Sequence, residues 1–356
     1  MRNKASGMVP ISIKCDDQIR QFNWRMRTLI QPDWHTSPSS LITRPMKSFD
    51  HIAVIGTGQM GPGIAQTCAM VGYKTSIIGR SEESLTRARN RIQANIDAML
   101  PYGLIKPEAV APLFANINFV IGLHSAADAD LVIEGITEDL TIKQAFFAEM
   151  ESAFAADAVL MSTTSGMRAT DIAQKMVHPE RAIVGHYWNP PHLLQLVEVA
   201  PGEKTASEVT ERVMAFLLST NHAPVLCRKE ALGFVANRMQ HALWREALAI
   251  VEQGIATPEE VDNALKTSFG ARTPVLGIFE HLDLVGVPTC FSIHSYLLAD
   301  LDAQTGPNKI LKEKMERGEL GVKTGKGFYD WSKKSAADVL KARDTLLLEL
   351  AQKRLG

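Results

Sequence analysis

Three glycines, Gly56, Gly58 and Gly61, sit between an apolar run and a helical pattern, and no other stretch constrains the fold of this chain as tightly. The run His51-Ile-Ala-Val-Ile55 reads as a buried strand. Gly56-Thr-Gly58-Gln59-Met60-Gly61 follows it, then the helix-periodic stretch Pro62 to Val71, then a second apolar run, Thr75-Ser-Ile-Ile78. Strand, glycine turn, helix, strand is the context that turns this spacing into a dinucleotide-binding motif. The first glycine permits the tight turn, the second lets backbone approach a pyrophosphate, and the third lets the helix pack on the strand. The helix N-terminus attracts the phosphate charge. Gly56, Gly58, Gln59, Met60 and Gly61 are therefore the expected cofactor loop.

A length of 356 residues predicts two domains. A net charge of -1 argues against charge-driven binding to nucleic acid or a membrane surface. No run approaches the roughly 18 apolar residues that span a bilayer. Cys15, Cys68, Cys227 and Cys290 are scattered without a C-x-x-C pair, which reads as reduced thiols in a cytoplasmic protein and gives no metal site. Residues 1–46 are rich in Arg and Lys, lack a sustained apolar period, and are expected to be a poorly ordered extension.

Short apolar runs recur at Phe119-Ile121, Leu131-Ile133, Ala158-Met161, Ala182-Val184, Leu196-Val199 and Pro224-Leu226. Helical patterns alternate with most of them, at Thr141-Phe154, Ala169-Lys175 and Ser207-Leu218. This alternation predicts an α/β class, a Rossmann-type doubly wound and mainly parallel sheet. Ser81 to Leu100 and Lys106 to Phe114 exceed one crossover helix and predict a helical hairpin insertion that projects from the sheet. From Ala231 onward the chain reads as helix, at Ala231-Val251, Pro258-Lys266, Thr289-Leu301 and Ala337-Leu355. The expected division is a dinucleotide-binding domain at 47–229 and a C-terminal all-α domain at 230–356.

Open α/β sheets bind ligands beyond the carboxyl ends of their strands. Ser165 follows the Ala158-Met161 run, and His186 follows Ala182-Val184. Glu198 lies inside the apolar run Leu196-Val199, where a charge is costly unless paired. His186 is the obvious partner, because the chain turns at Asn189-Pro-Pro191 between them. A carboxylate on one imidazole nitrogen fixes the tautomer and raises the basicity of the other. From pattern alone, a lone histidine after a strand such as His186 is more often a structural hydrogen bonder, and Ser165 could be a helix cap.

Taken together, these residues resemble the 3-hydroxyacyl-CoA dehydrogenases over about residues 48–331. The resemblance rests on the glycine motif with Met60, on Glu134, Glu138 and Lys143, and on Thr164-Ser165. Further matches are Gly185-His186-x-x-Asn189-Pro190, Leu196-Val-Glu-Val199, Gly233-Phe-x-x-Asn237-Arg238 and Lys323-Thr-Gly-x-Gly-Phe-Tyr329. It implies an NAD(P)-dependent oxidoreductase in which His186 takes the hydroxyl proton and Glu198 orients it. Ser165 and Asn237 would hold the reacting oxygen, and Glu138, Lys143, Asn189 and Lys323 would contact the cofactor. It also implies a site in an interdomain cleft, a small-molecule substrate, an acyl-CoA in the mainstream of the family, and a homodimer formed through the helical domain.

Two departures qualify that picture. The family's acid after the second strand is replaced by Gly79-Arg80-Ser81, which leans the cofactor toward NADP, with Arg80 available to a 2′-phosphate and NAD the alternative. Arg87 and Arg91 could extend such a site or form an exposed face. The substrate walls also differ. Gly166 follows Ser165, Asn189-Pro-Pro-His192 stands for the usual Asn-Pro-Val-Pro, and Trp188 stands where Phe is usual. A short 3-hydroxyacyl-CoA is the first substrate reading. The second is a CoA-free hydroxy acid or alcohol, such as a sugar acid, a carnitine-like compound or a hydroxymethyl-aromatic acid, with His192 and Arg272 as candidate substrate contacts. A third reading is a non-catalytic, crystallin-like nucleotide binder.

Overall fold

The computed structural model describes residues 49–355, so the extension expected at 1–46 lies outside the described residues. All eight apolar runs form strands: β1 His51–Ile55, β2 Lys74–Gly79, β3 Ile117–Ile121, β4 Leu131–Glu134, β5 Val159–Ser162, β6 Ala182–Tyr187, β7 Leu196–Pro201 and β8 Ala223–Leu226. They make one sheet in the order β3-β2-β1-β4-β5-β6-β7-β8. β1 has β2 on one side and β4 on the other, which creates the switch point where such sheets bind ligands. The pairings are parallel except β6 with β7. Parallel strands need a crossover of about a dozen residues or more. The connection at 188–195 is too short for one, so the chain doubles back and His186 falls opposite Glu198.

Side chains alternate between two buried faces. Ile52, Val54, Ile77, Ile133, Met161 and Ile183 join one core, and Ala53, Ile55, Ile78, Val132, Leu160 and Val184 join the other. Helices α1 Gly61–Met70, α2 Glu82–Met99 and α3 Pro107–Ala115 contribute to the first core. Helices α4 Leu140–Ala153 and α5 Ala169–Ile172 cover the second, and α6 Ser207–Ser219 returns to the first. The α2–α3 hairpin does not project from the sheet as expected. Leu85, Ala88, Ile92, Ile96 and Met99 recur at helical spacing, and this stripe is buried against the sheet's core.

The remaining helices are α7 Ala236–Glu252, α8 Pro258–Thr267, α9 Phe269–Arg272, α10 Ile278–Val285, α11 Val287–Leu297, α12 Lys309–Glu316 and α13 Ala336–Leu355. All of them lie in the stretch that reads as helix from Ala231 onward. The helix expected from Ala231, however, begins only at Ala236. Gly233 and Phe234 hold φ of 76° and 53°, a left-handed turn that no α-helix accommodates. Two compact units result, one spanning Glu259–Leu301 and the other comprising the remaining described residues, 49–258 and 302–355. Leu348 of α13 is buried in the sheet's own core. No helix among the described residues is long and apolar enough to cross a membrane.

Candidate active site

The glycine turn lies between the ends of β1 and β4. Gly56 has φ of 115°, and a Cβ there would fall 2.6 Å from the Gly135 carbonyl oxygen. A Cβ on Gly61 would fall 1.8 Å from the Gly56 oxygen, so the helix can approach the strand only without a side chain. Gly58 differs from both, because a Cβ there would meet no protein atom within 4 Å. The space beside Gly58 is open, as it must be for a pyrophosphate to reach the backbone, and the residues fit a dinucleotide. Gln59 is exposed, and Met60 packs partly against the core. Arg80 is exposed immediately past β2. Arg91 donates to the Gly58 carbonyl at 2.8 Å, while Arg87 pairs with Glu83.

The second centre is built on the antiparallel β6–β7 pair. His186 Nδ1 lies 2.8 Å from Glu198 Oε2. Both residues are buried, Glu198 completely. Trp188 Nε1 donates to the same Oε2 at 3.1 Å, and the backbone N–H groups of Val235 and Ala236 donate to Oε1 at 2.8 and 2.7 Å. The left-handed turn at Gly233-Phe234 aims those two N–H groups at the carboxylate. Burial alone would raise the Glu198 carboxyl. The hydrogen bonds from His186, Ala236, Val235 and Trp188 together outweigh it and hold the group below the ordinary glutamate value. The Phe234 ring lies 5.4 Å and the Trp188 ring 5.5 Å from the imidazole.

The loop after β5 reaches the same place. Asn237 Nδ2 donates to the Ser165 carbonyl at 2.8 Å, and Gly233 N donates to the Gly166 carbonyl at 3.4 Å. Glu138 accepts from Ser165 N at 2.9 Å and from the Thr164 hydroxyl. Behind it, Lys143 Nζ lies 2.7 Å from Glu134 and 3.5 Å from Glu138, with only 1% of its side chain exposed. Glu134 also accepts from the Ser162 hydroxyl at 2.7 Å. Lys143 is thus enclosed in a buried charge network that braces Glu138 and, through it, the Ser165 loop. Burying this pair is tolerable because its charges and hydrogen bonds are mutually satisfied.

Asn189 is exposed just past β6, and Lys323 is exposed in the turn Val322–Thr324. Arg272 belongs to the Glu259–Leu301 unit, where its guanidinium meets His281 Nε2 at 2.9 Å. His192 turns toward α1 instead: a Cβ on Gly63 would fall 2.7 Å from Pro191 Cγ and 3.4 Å from His192 Nδ1. Burial pushes the His192 imidazole down to about 4, so the ring is neutral at neutral pH. The residues that sequence reasoning missed are Trp188 and the backbone N–H groups of Val235 and Ala236. Trp188 carried a signal, since it lies two residues from His186 and so shares its side of an extended chain. The two N–H groups carried none.

Comparison with known proteins accords with this geometry. Residues 51–231 match the 3-hydroxyacyl-CoA dehydrogenase NAD binding domain, and residues 233–331 match the C-terminal domain of the same family. The chain is 31% identical over 280 residues to 5-formyl-3-hydroxy-2-methylpyridine 4-carboxylate 5-dehydrogenase of Mesorhizobium japonicum, covering 78% of this chain and 90% of that one. A crystal structure of the 5-dehydrogenase of that name, described as an NAD+-dependent dismutase, superposes with a TM-score of 0.80 at 30% identity, covering 86% of this chain and 99% of the other. The crystal structure of (S)-3-hydroxybutyryl-CoA dehydrogenase from Ralstonia eutropha superposes with a TM-score of 0.67 at 27% identity, covering 80% and 99%. The chain therefore belongs to the 3-hydroxyacyl-CoA dehydrogenase family and is an NAD(P)-dependent oxidoreductase acting on a CH–OH group.

Proposed function

We propose that the protein interconverts a hydroxyl-bearing carbon and the corresponding carbonyl of a small acid that carries no CoA. The observation that carries the chemistry is the buried His186–Glu198 pair. A carboxylate accepting at 2.8 Å requires the proton on Nδ1, which leaves Nε2 with its lone pair to take the hydroxyl proton. Glu198 then stabilises the imidazolium that forms. The Ser165 hydroxyl and the second amide N–H of Asn237 hold the reacting oxygen and stabilise charge on it. The nicotinamide, when bound, supplies the hydride acceptor or donor. Gly56, Gly58, Gln59, Met60, Gly61, Arg80, Glu138, Asn189 and Lys323 serve the cofactor, with Lys143 acting through Glu138. Functionally, 47–229 is the dinucleotide-binding domain and 230–356 the substrate and dimerisation domain.

The substrate class rests on the TM-score of 0.80 with an enzyme named for a pyridine carboxylate, against 0.67 with the 3-hydroxybutyryl-CoA enzyme. Gly166 supports it, because the space a Cβ would take there meets only Gly233 N, at 4.0 Å, which leaves room beside Ser165. A short 3-hydroxyacyl-CoA is the second reading, favoured by the match to both domain models of that family. Steady-state kinetics with hydroxymethyl-aromatic acids, carnitine and 3-hydroxybutyryl-CoA separates them. A free acid is expected to give the highest kcat/KM. A higher value for the thioester would replace the first reading with the second.

A homodimer is the proposed assembly. Large apolar side chains crowd the Glu259–Leu301 unit, with Phe279, Leu284 and Phe291 at 80%, 76% and 74% exposure. No residue of that unit is buried. Exposed apolar side chains in such number mark an association face, and the helical domain of a second copy is its proposed occupant.

A further inference from the structure

In an open α/β sheet the adenosine half of a dinucleotide lies by the end of the second strand, next to the glycine turn. Here β1 and β2 pair Ile55 with Ile78, so Gly56 and Gly79 lie side by side. Sheets that take NAD carry an acid in this region to accept the ribose 2′-hydroxyl. Gly79 lacks that acid, and a side chain there would require two neighbours to shift. A Cβ at 79 would lie 2.7 Å from both Leu85 Cδ2 and Ser84 Oγ, two buried side chains of the first turn of α2. The neighbouring carboxylates are Glu82 and Glu83, and Glu83 is already engaged by Arg87.

The residues that follow have the opposite chemistry. Arg80 is exposed, and its guanidinium makes no hydrogen bond or ion pair among the described residues. Ser81 Oγ accepts from Ser84 N at 3.2 Å, and the Ser84 hydroxyl donates to Ser81 O at 2.7 Å. Ser81 acts in this cap only as an acceptor, so its own hydroxyl proton remains uncommitted. Of the four arginines in this region, Arg91 is held by the Gly58 carbonyl, Arg87 by Glu83 and Arg89 over the Phe119 ring, which leaves Arg80 free.

We propose that Arg80 and Ser81 form a subsite for the 2′-phosphate of NADP(H), and that NADP(H) is the preferred cofactor. The proposal rests on the dinucleotide reading of the same glycine turn. The guanidinium offers a two-pronged set of donors to phosphate oxygens, and the Ser81 hydroxyl offers a third donor. The start of the 18-residue helix α2 adds a favourable field, which Glu82 and Glu83 of its first turn partly offset. NAD(H) gains nothing here, since no acid can reach its 2′-hydroxyl from position 79.

The test is isothermal titration of the full chain with NADP+, NAD+, 2′,5′-ADP and 5′-AMP, on the wild type and Arg80→Gln. The last two ligands isolate the 2′-phosphate without any turnover. NADP+ is expected to bind about tenfold or more tighter than NAD+, and 2′,5′-ADP similarly tighter than 5′-AMP, the scale of one or two charge-assisted hydrogen bonds. Both preferences are expected to fall to within about threefold in Arg80→Gln, whose exposed position leaves the melting temperature unchanged. Equal or tighter binding of NAD+, or a preference that survives Arg80→Gln, would overturn the 2′-phosphate subsite alone. A folded protein that binds neither dinucleotide would overturn the underlying cofactor reading, and this proposal with it.

Discussion

Glu198 receives four hydrogen-bond donors on two oxygens, and each has a separate origin: a ring on the facing strand, an indole just past that strand, and two N–H groups of a strained turn. Removing one leaves a buried carboxylate underpaired. Trp188→Phe is therefore expected to lower the unfolding free energy by about 1.5–3 kcal/mol, the range for a hydrogen bond to a charged group. Urea denaturation checks it, and unchanged stability would mean the indole N–H contributes nothing to this carboxylate. The same pairing sets a pH dependence. The folded carboxyl titrates below its ordinary 4.5, so its stabilisation is complete above 4.5 and disappears as pH falls through the folded value. Glu198→Gln is expected to flatten that acid limb in stability measurements from pH 5 down to pH 3.

The connections around β6, β7 and β8 show what a chain reveals by itself and what it withholds. Eight apolar runs bounded by turn residues were enough to mark the strands, and two polar residues, His186 just past one run and Glu198 inside another, marked the centre. Their direct opposition depends on the short 188–195 connection, and their support depends on a left-handed turn at Phe234, a residue with no local preference for it. The Lys143 network was legible as a set of polar residues but not as a buried one.

His192 in the β6–β7 connection is largely enclosed and His222 before β8 is buried, and loss of solvent pushes both imidazoles down to about 4. The unfolded chain binds these protons from about pH 6.5 downward, the folded chain only near 4. Stability is then complete above pH 6.5 and lost between 6.5 and 4, by on the order of 3 kcal/mol for each imidazole. His222→Gln is expected to make the urea midpoint less sensitive to pH between 7.5 and 5. An unaltered slope would show that this ring does not stay neutral in the fold.

For the whole molecule, the proposed homodimer rests on the unit at Glu259–Leu301. A helical segment in which no residue is buried cannot offset its conformational entropy by its own packing. Light scattering is expected to give twice the chain mass, and Phe279→Asp combined with Phe291→Asp is expected to give a monomer. A wild-type monomer at micromolar concentration would refute the assembly.

The central claim, proton transfer by His186 supported by Glu198, is tested most directly by reduced-nicotinamide absorbance under saturating cofactor. The substrate is whichever compound turns over fastest with the wild type, and His186→Ala and Glu198→Gln are compared with it alongside their nucleotide dissociation constants. Both variants are expected to bind nucleotide within a few fold of the wild type and to lose turnover by roughly 10²-fold or more, the scale of general acid–base groups. Turnover near the wild-type rate in either variant would contradict the role assigned to that residue.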